Sequence, residues 1–471
     1  MRVSSMQTVN NYQRQLNEAY ERQTKLMEQT DGNSLHRPSD DAVNYSKYLR
    51  YDVNLAENEQ YKTNTNTAVS WIKTSDSAMV NIVDIFKTFK GKTDAAANDT
   101  NNVSDWEAIS KEMLAEIQEA VSDANIQNGD RYVFAGQSDT TRPFIISSNL
   151  QTRGLPKTLS DQQVNFFSGT AITRTVDGKS VNTVTNISQM LRLEGSDGNE
   201  YYMNTQSGKV YTAEFVEKGF QDRVTSGQDR VADADAAGEV KTAFMTGDDS
   251  DFKISDYFNS KGTFVAAYDK DGDGLIESGE SKPSFSVNVK GSDGSTKAVT
   301  MTFSTINQYV VTYRGDDKYI SMTKKNGPQD QTSDTVNATG QDMFGTDIFD
   351  NADSGNYTSG CASLNNLLAV QAEVKACNID FIGNDGLTLA DGAHATAVTA
   401  ETKLGARQQA YTAAQTMLDT QNTTITQDVT NVSATDVAKL STDLMAANTL
   451  YQMSLAVGGR ILPQSLADYL S

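Results

Sequence analysis

SDDAVNYSKYLRYDVNLAENEQYKTNTNTAVSWIKTSDSAMVNIVDIFKTFKG, residues 39–91, holds neither proline nor glycine between Ala42 and Lys90. Proline removes a helix hydrogen bond and clashes with the preceding turn, so such a tract permits one long helix. Trp71, Met79, Ile82, Phe86 and Phe89 recur at helical spacing and mark one face for burial. Ser39 stands as an N-cap, Asp40 and Asp41 suit the helix dipole, and Gly91 offers a stop. The spacing predicts a helix of about 70 Å, a length found in coiled coils and fibrous assemblies.

Working outward, Val3, Met6, Val9, Tyr12, Leu16, Ala19 and Leu26 form an earlier stripe that ends at Asp31-Gly32. Ser104 and Glu107 read as a capping box. The helix they open carries Trp106, Ile109, Met113, Ile117, Ala120 and Ala124 on one face and closes at Asn128-Gly129. The C-terminal tract mirrors this: 361–382 and 395–430 read as helical. Ser433 with Asp436 caps a last helix bearing Leu440, Leu444, Ala447, Tyr451 and Leu455.

The six prolines are Pro38, Pro143, Pro156, Pro283, Pro328 and Pro463, so 39–142 and 329–462 are proline-free, whereas 20 of 32 glycines fall within 150–345. There SFSVNVK, KAVTMTFSTINQYVVTYRG and KYISMTK are rich in Val, Thr, Phe and Tyr and are separated by Gly- and Asp-rich turns. The fold class expected is α+β, with long N- and C-terminal helices packed as a bundle or coiled coil around a mainly antiparallel β insert. The division expected is an N-terminal arm at 1–40, helical core halves at 41–143 and 351–432, a β insert at 144–350 and a C-terminal arm at 433–471.

The two ends are nearly uncharged. Residues 444–471 carry only Arg460 and Asp468, and residues 1–17 only Arg2 and Arg14. A solvated amphipathic helix normally carries charge on its outer face. These ends are therefore expected to bury both faces against other subunits, or to lack order alone. The candidate interface residues are Val3, Met6, Val9, Leu16, Leu444, Leu450, Tyr451, Leu455, Ile461, Leu462, Leu466 and Leu470.

With 40 Lys and Arg against 61 Asp and Glu, the net charge of −21 opposes nucleic-acid binding, which needs a basic footprint. No apolar run approaches the ~20 residues of a membrane span, so no membrane partner is expected. The N-terminus lacks the apolar core of a secretory signal. Cys361 and Cys377 make no disulfide framework; on one continuous helix they would stand about 24 Å apart, so buried free thiols are expected.

RPSDDA at 37–42, NGDRYVFAGQ at 128–137, LGARQQAY at 404–411 and LYQMSLAVGGRILPQSLADYLS at 450–471 together resemble shared stretches of the bacterial flagellins and hook-associated proteins. Ala42 stands where family members often have Pro, and Ala135 replaces a glycine of the second stretch. YRGDDKYISM at 313–322 and DMFGTDIF at 342–349 resemble the hook-associated members and extend the likeness into the β insert. The resemblance implies paired terminal helices that line a hollow helical assembly, with the insert projecting outward. It implies an extracellular flagellar subunit at the hook–filament junction, exported unfolded by the flagellar type III route. Its partners would be copies of itself, an adjacent hook-associated junction protein, flagellin, and the export apparatus with its chaperone. Two alternatives stand beside it: a filament flagellin, and a calcium-dependent surface adhesin carried on the flagellum.

DKDGDGLIESGE, 269–280, has the spacing of a twelve-residue calcium loop. Asp269, Asp271 and Asp273 take positions 1, 3 and 5 around the turn at Gly274. Leu275 supplies a carbonyl, Glu277 a water-mediated contact and Glu280 the last carboxylate. The flanks TFVAAY and SKPSFSV read as strands, unlike the helices of an EF-hand, and an acidic β-turn without metal is the alternative. A calcium ion is the one cofactor suggested, and none is required. His36 and His394 read as loop residues; no His-Glu-X-X-His, Gly-X-Ser-X-Gly or P-loop lysine motif occurs, so no enzyme is expected.

Overall fold

The computed structural model describes residues 2–169, 171–176, 179–184, 187–238, 244–245, 254–277, 279–290, 295–325, 334–349 and 360–461. Three helices lead, α1 (Arg2–Glu28), α2 (Ala42–Ala96) and α3 (Val103–Asp123), followed by the hairpin β1 (Gln127–Asn128) and β2 (Arg131–Tyr132). The insert opens with β3 (Phe144–Ile146), β4 (Gln151–Gly154), β5 (Pro156–Thr158), α4 (Asp161–Phe167), β6 (Ala171–Val176) and β7 (Lys179–Val184). It continues with β8 (Gln189–Gly195), β9 (Glu200–Met203), β10 (Val210–Thr212), α5 (Phe220–Thr225), α6 (Val231–Ala236) and β11 (Phe244–Met245). It closes with β12 (Ser284–Lys290), β13 (Thr296–Phe303), β14 (Thr305–Gln308), β15 (Val311–Tyr313) and α7 (Gly340–Phe344). Four helices return the chain: α8 (Ala362–Lys375), α9 (Ile379–Phe381), α10 (Leu387–Ser433) and α11 (Val437–Ile461). The fold is α+β, with every strand pairing antiparallel among the described residues.

Two compact units divide the chain. The arm unit is Met1–Asn66, Thr323–Gly327 and Thr412–Ser471; the core unit is Thr67–Met322 and Pro328–Tyr411. Val69, Trp71 and Ala78 of α2 are buried beside a longer row of buried positions at Asn58, Thr65, Ala68, Ile72, Ser75, Met79, Ile82, Phe86, Phe89, Thr93 and Ala96. The steps of three, four and seven along that row make a heptad seam. Its hydroxyl members are satisfied locally: Thr65, Ser75 and Thr93 donate to the carbonyls of Tyr61, Trp71 and Phe89. The helix runs through Gly91, which does not stop it, and ends at Ala96.

In the core unit the seam of α2 meets α3, α8 and α10 in one apolar cluster that includes Phe86, Met113, Leu367 and Leu404. Phe144, Val311 and Tyr313, from the β3–β15 pair, belong to the same cluster. Asn365 on α8 serves β15 as a neighbouring strand would, accepting from the Val311 N–H at 2.8 Å and donating to its carbonyl at 3.1 Å. The main sheet, in the order β11-β10-β9-β8-β13-β12 with β5 also on β8, packs two further clusters of its own.

Two buried ion groups pin the insert. Asp385 receives Lys157 from β5 at 2.8 Å and Arg192 from β8. Arg153 of β4, 1% exposed, pairs with Asp347 and lies over the Phe349 ring. Burial of the Lys157 ammonium pushes its pKa below the usual lysine range, with Arg192 adding to the effect.

Several expectations are corrected. The cap of α2 is Asp41, which accepts from Val43 and Asn44, not Ser39. The capping box of α3 is Asn102 with Asp105, not Ser104 with Glu107. Asp436 alone caps α11, through Ala438 and Lys439, while Ser433 ends α10. KYISMTK forms no strand beyond an isolated Ser321–Thr335 bridge, because Ile320 bonds the Asn337 side chain instead. TFVAAY contributes bridges at Thr263 and Phe264 and then turns. Both cysteines are free, but Cys377 lies beyond the end of α8 and is half-exposed. His394 lies within α10, not in a loop.

Candidate assembly surface and calcium loop

In the arm unit α1 and α11 pair antiparallel. Tyr12 donates to the Ser454 carbonyl at 2.9 Å, and the Tyr20 and Tyr451 rings stand 5.9 Å apart. The α11 side of the seam is Leu440, Leu444, Ala447, Tyr451, Ser454 and Gly458, buried or half-buried at steps of four and three. On α1 it is Val9, Tyr12, Leu16, Ala19, Gln23 and Leu26. Gly458 is required by close approach, since a methyl group there would overlap the Tyr12 ring and hydroxyl.

A second apolar stripe on α11 stays open. Ala446, Leu450, Met453 and Val457 follow the same spacing on another face and are exposed, Met453 at 65%. Twelve of the sixteen large apolar side chains exposed among the described residues lie in the arm unit. The expectation that these ends lack order alone is not what 2–28 and 437–461 show: they are helical and pair with each other. Of the sequence-predicted interface residues, Val9, Leu16, Leu444 and Tyr451 lie in that internal seam, while Leu450 and Leu455 are exposed. Val3 and Met6 lie within α1 and Ile461 ends α11; Leu462, Leu466 and Leu470 lie outside the described residues.

RPSDDA builds the turn between α1 and α2. Lys25, 2.6 Å from Asp40, and the N–H groups of Arg37 and His36 hold the Asp40 carboxyl below the usual carboxylate range. Arg37 reaches Glu28 at 2.6 Å, and Ser34 donates to the Ser433 carbonyl at the end of α10. The same unit ties α2 to α10 through Lys62–Asp419 and through Asn58, which donates to the Leu418 carbonyl.

In the core unit the other motif stretches interlock. Asp316 donates its N–H to the Ala135 carbonyl and accepts from the Gln137 N–H at 2.6 Å; Tyr313 donates to the Phe134 carbonyl at 3.0 Å. Gly136, at φ 70° with Asp316 against it, has no room for a side chain. From LGARQQAY, Arg407 donates to the Asn337 carbonyl and Tyr411 to that of Asp334, each at 2.6 Å.

In the 269–280 loop the carboxylates of Asp269, Asp271 and Asp273 converge, with ligand atoms within 4.8 Å of one another. Asp269 accepts from Gly272 and Gly274, and Asp273 from Leu275. Glu280 turns back to accept from Lys270 and Glu277, so the twelfth position closes on the first turn. The loop is seated on β4, where Thr152 bonds the Gly274 carbonyl and the Ile276 N–H. Leu275 is half-buried and Glu277 exposed. Hard oxygen donors in this arrangement fit calcium.

Residues 2–139 match the bacterial flagellin N-terminal helical region, and residues 387–470 match the bacterial flagellin C-terminal helical region. The chain belongs to the bacterial flagellin-like family. This flagellin-like chain is 26% identical over 339 residues to flagellin D of Vibrio cholerae serotype O1, covering 66% of this chain and 81% of that protein. Among solved structures, a protein described as a flagellar hook-associated protein of Vibrio parahaemolyticus matches at a TM-score of 0.42 and 10% identity, over 84% of this chain and 100% of that one. Xanthomonas campestris FlgL matches at 0.35 and 13% identity, over 81% and 99%. The flagellar junction protein FlgL of Legionella pneumophila matches at 0.31 and 10% identity, over 78% and 99%. The flagellin-like chain is a structural component of the flagellum, and among its described residues no helix is long and apolar enough to cross a membrane.

Proposed function

We propose that the flagellin-like chain is a hook-associated protein 3, forming the hook–filament junction by side-by-side assembly of its terminal helices. The observation that carries this is the open stripe Ala446, Leu450, Met453 and Val457. Its neighbouring stripe on the same helix is already covered by α1. Packing the open stripe beside adjacent subunits removes it from water at about 25 cal/mol per Å². The likeness of 128–137 and 313–322 to hook-associated members, in stretches that bond directly to each other, favours the junction over the filament. The partners are then further copies, a preceding junction protein on the hook, flagellin, and the flagellar type III export apparatus with its chaperone. The expected site is extracellular, on the flagellum, and no catalytic step is involved. Deletion of the gene tests this: hooks without filaments and flagellin released into the medium are expected. Intact filaments in the deletion strain, or this chain as the main band of sheared filaments, would contradict the junction role.

We further propose that the 269–280 loop takes a calcium ion, held by Asp269, Asp271, Asp273, the Leu275 carbonyl and Glu280, with a water on Glu277. Isothermal calorimetry of the full chain is expected to show calcium heat that Asp271→Ala abolishes. Equal heats in the two proteins, or none in either, would count against it. Loss of surface attachment with motility intact, after Asp271→Ala, would point to an adhesive role for the insert.

A further inference from the structure

A segment of the core unit crosses α10 as a strap. Its two runs, 313–322 and 334–342, zip together: Val336 donates to the Ile320 carbonyl, Met322 to that of Asp334, and Ile320 to the Asn337 side chain. Arg407 and Tyr411 hold the second run by its carbonyls. Where the strap reaches α7 there is a polar cleft of about 560 Å³, lined by Asp317, Tyr319, Thr339, Asp342, Thr399 and Lys403.

The two carboxylates in that cleft differ. Asp342 is fully engaged, accepting from the Thr339 N–H and from the Tyr319 hydroxyl at 3.0 Å. Asp317 bonds Thr339 and the Gln341 backbone, yet its Oδ1 is buried with no partner. A buried acceptor left unmade is unfavourable, more so when it carries charge. We propose that Asp317 is a proton-operated latch, tightening the strap on the helical core when its carboxyl is neutral and loosening it when ionised.

The groups facing Asp317 fit this. Asp316, on its own run, and Asp342, from α7, repel its charge; Lys318 turns to Asp316. From α10, Lys403 lines the cleft and Arg407 stacks over the Tyr319 ring. Tyr313 and Tyr319, both pushed up by burial, stay neutral at physiological pH. Burial first, then the neighbouring acids, raises the Asp317 carboxyl to about 6. A raised carboxyl leaves the folded strap penalised above that pH. The penalty is relieved as pH falls through 6 and is gone near the ordinary carboxylate value.

Native-state hydrogen exchange of the full chain tests the latch, read at the amides of Ile320, Met322 and Val336 and corrected for intrinsic exchange. Global melting would mix in Glu116, Asp123 and Glu373, whose carboxyls burial also raises. Protection of the three amides should rise roughly tenfold from pH 7.5 to 5.0 in the wild type. Asp317→Asn should be flat across that range and at least as protected at pH 7.5 as the wild type at pH 5.0. A wild type without the rise, or an Asp317→Asn protein that keeps it, overturns the proposal. Should Asp317→Asn not fold, Asp342→Asn decides: removing that charge should move the tightening to lower pH, and an unmoved midpoint overturns the latch.

Discussion

The arm unit and the core unit are threaded by the same two helices, α2 and α10, yet they differ in how far burial is completed. In the core unit Ile72, Met79, Ile82, Phe86 and Phe89 are closed off on all sides by α3, α8, α10 and the β3–β15 pair. In the arm unit the seam of α2 includes Asn58 and Thr65, and the flanking faces carry exposed Val43, Leu49, Val53, Met417 and Met445. Heptad spacing is common to both, so spacing alone does not decide which region is self-sufficient. The number of layers does. The core has a third and fourth partner in the same chain, whereas the pair of α1 and α11 has one covered stripe and one open stripe. One unit is finished on folding; the other offers a surface to neighbours.

Substitutions sharpen the contrast, read by exchange protection within each unit because two units need not unfold together. Phe86→Ala, at a site 1% exposed and against Phe344, should destabilise the core by about 3–5 kcal/mol. Leu450→Ala, at 56% exposure, should change the arm of the single chain by less than about 0.5 kcal/mol. Equal effects at the two sites would erase the distinction. Asp385→Asn should cost the core about 3 kcal/mol, because Lys157 and Arg192 are left half-buried and facing each other. Denaturant midpoints measured with sheet-specific probes would check it.

Acid should separate the units as well. Glu116, Asp123, Asp317 and Glu373 in the core are raised by burial, so their ionisation penalty is relieved as pH falls from neutral toward the ordinary carboxylate range. Asp40 in the arm is depressed, chiefly by Lys25. Its contribution is present above the unfolded value of 3.8 and is lost as pH falls through the lower folded value. Exchange at the 34–41 turn should therefore hold to about pH 4 and rise below it, while core protection increases between pH 7 and 5. One expected effect is a gain: Gly91→Ala, in open space on an exposed helical turn, should stabilise α2 by about 0.5–1 kcal/mol.

The long helices were legible because proline placement and apolar spacing survive without tertiary context. The seam of α2 was read only from Trp71 onward, since Asn58, Thr65, Ser75 and Thr93 look like surface residues. Only the structure shows their hydroxyls turned to carbonyls four residues back, and Asn58 spent on Leu418. Caps slipped by two or three residues where several capping types stand close together, as at Ser39, Asp40 and Asp41. The short helices α4, α5 and α6 were missed, although Ser160 and Gln163 form a capping box that the sequence spells out. KYISMTK has strand composition, but its backbone pairing with 334–336 is confined to one bridge, and Ile320 turns its N–H to the Asn337 side chain, which no alternation pattern encodes. At the candidate sites, the twelve-residue loop was visible from spacing. The division of the terminal leucines between an internal seam and an open stripe was not, because it depends on which face α1 covers. The interlock of Ala135 and Gln137 with Asp316 joins residues about 180 apart and has no local signal.

The central claim is that the open stripe of α11 is the contact surface of assembly. Replacing Leu450, Met453 and Val457 together by Ser tests it most directly, with the helical content of the single chain and its addition to hook-bearing cell bodies measured side by side. The expected result is an unchanged circular dichroism spectrum with failure to add to hooks and to support filament growth. Normal junction formation by the triple variant would contradict the account.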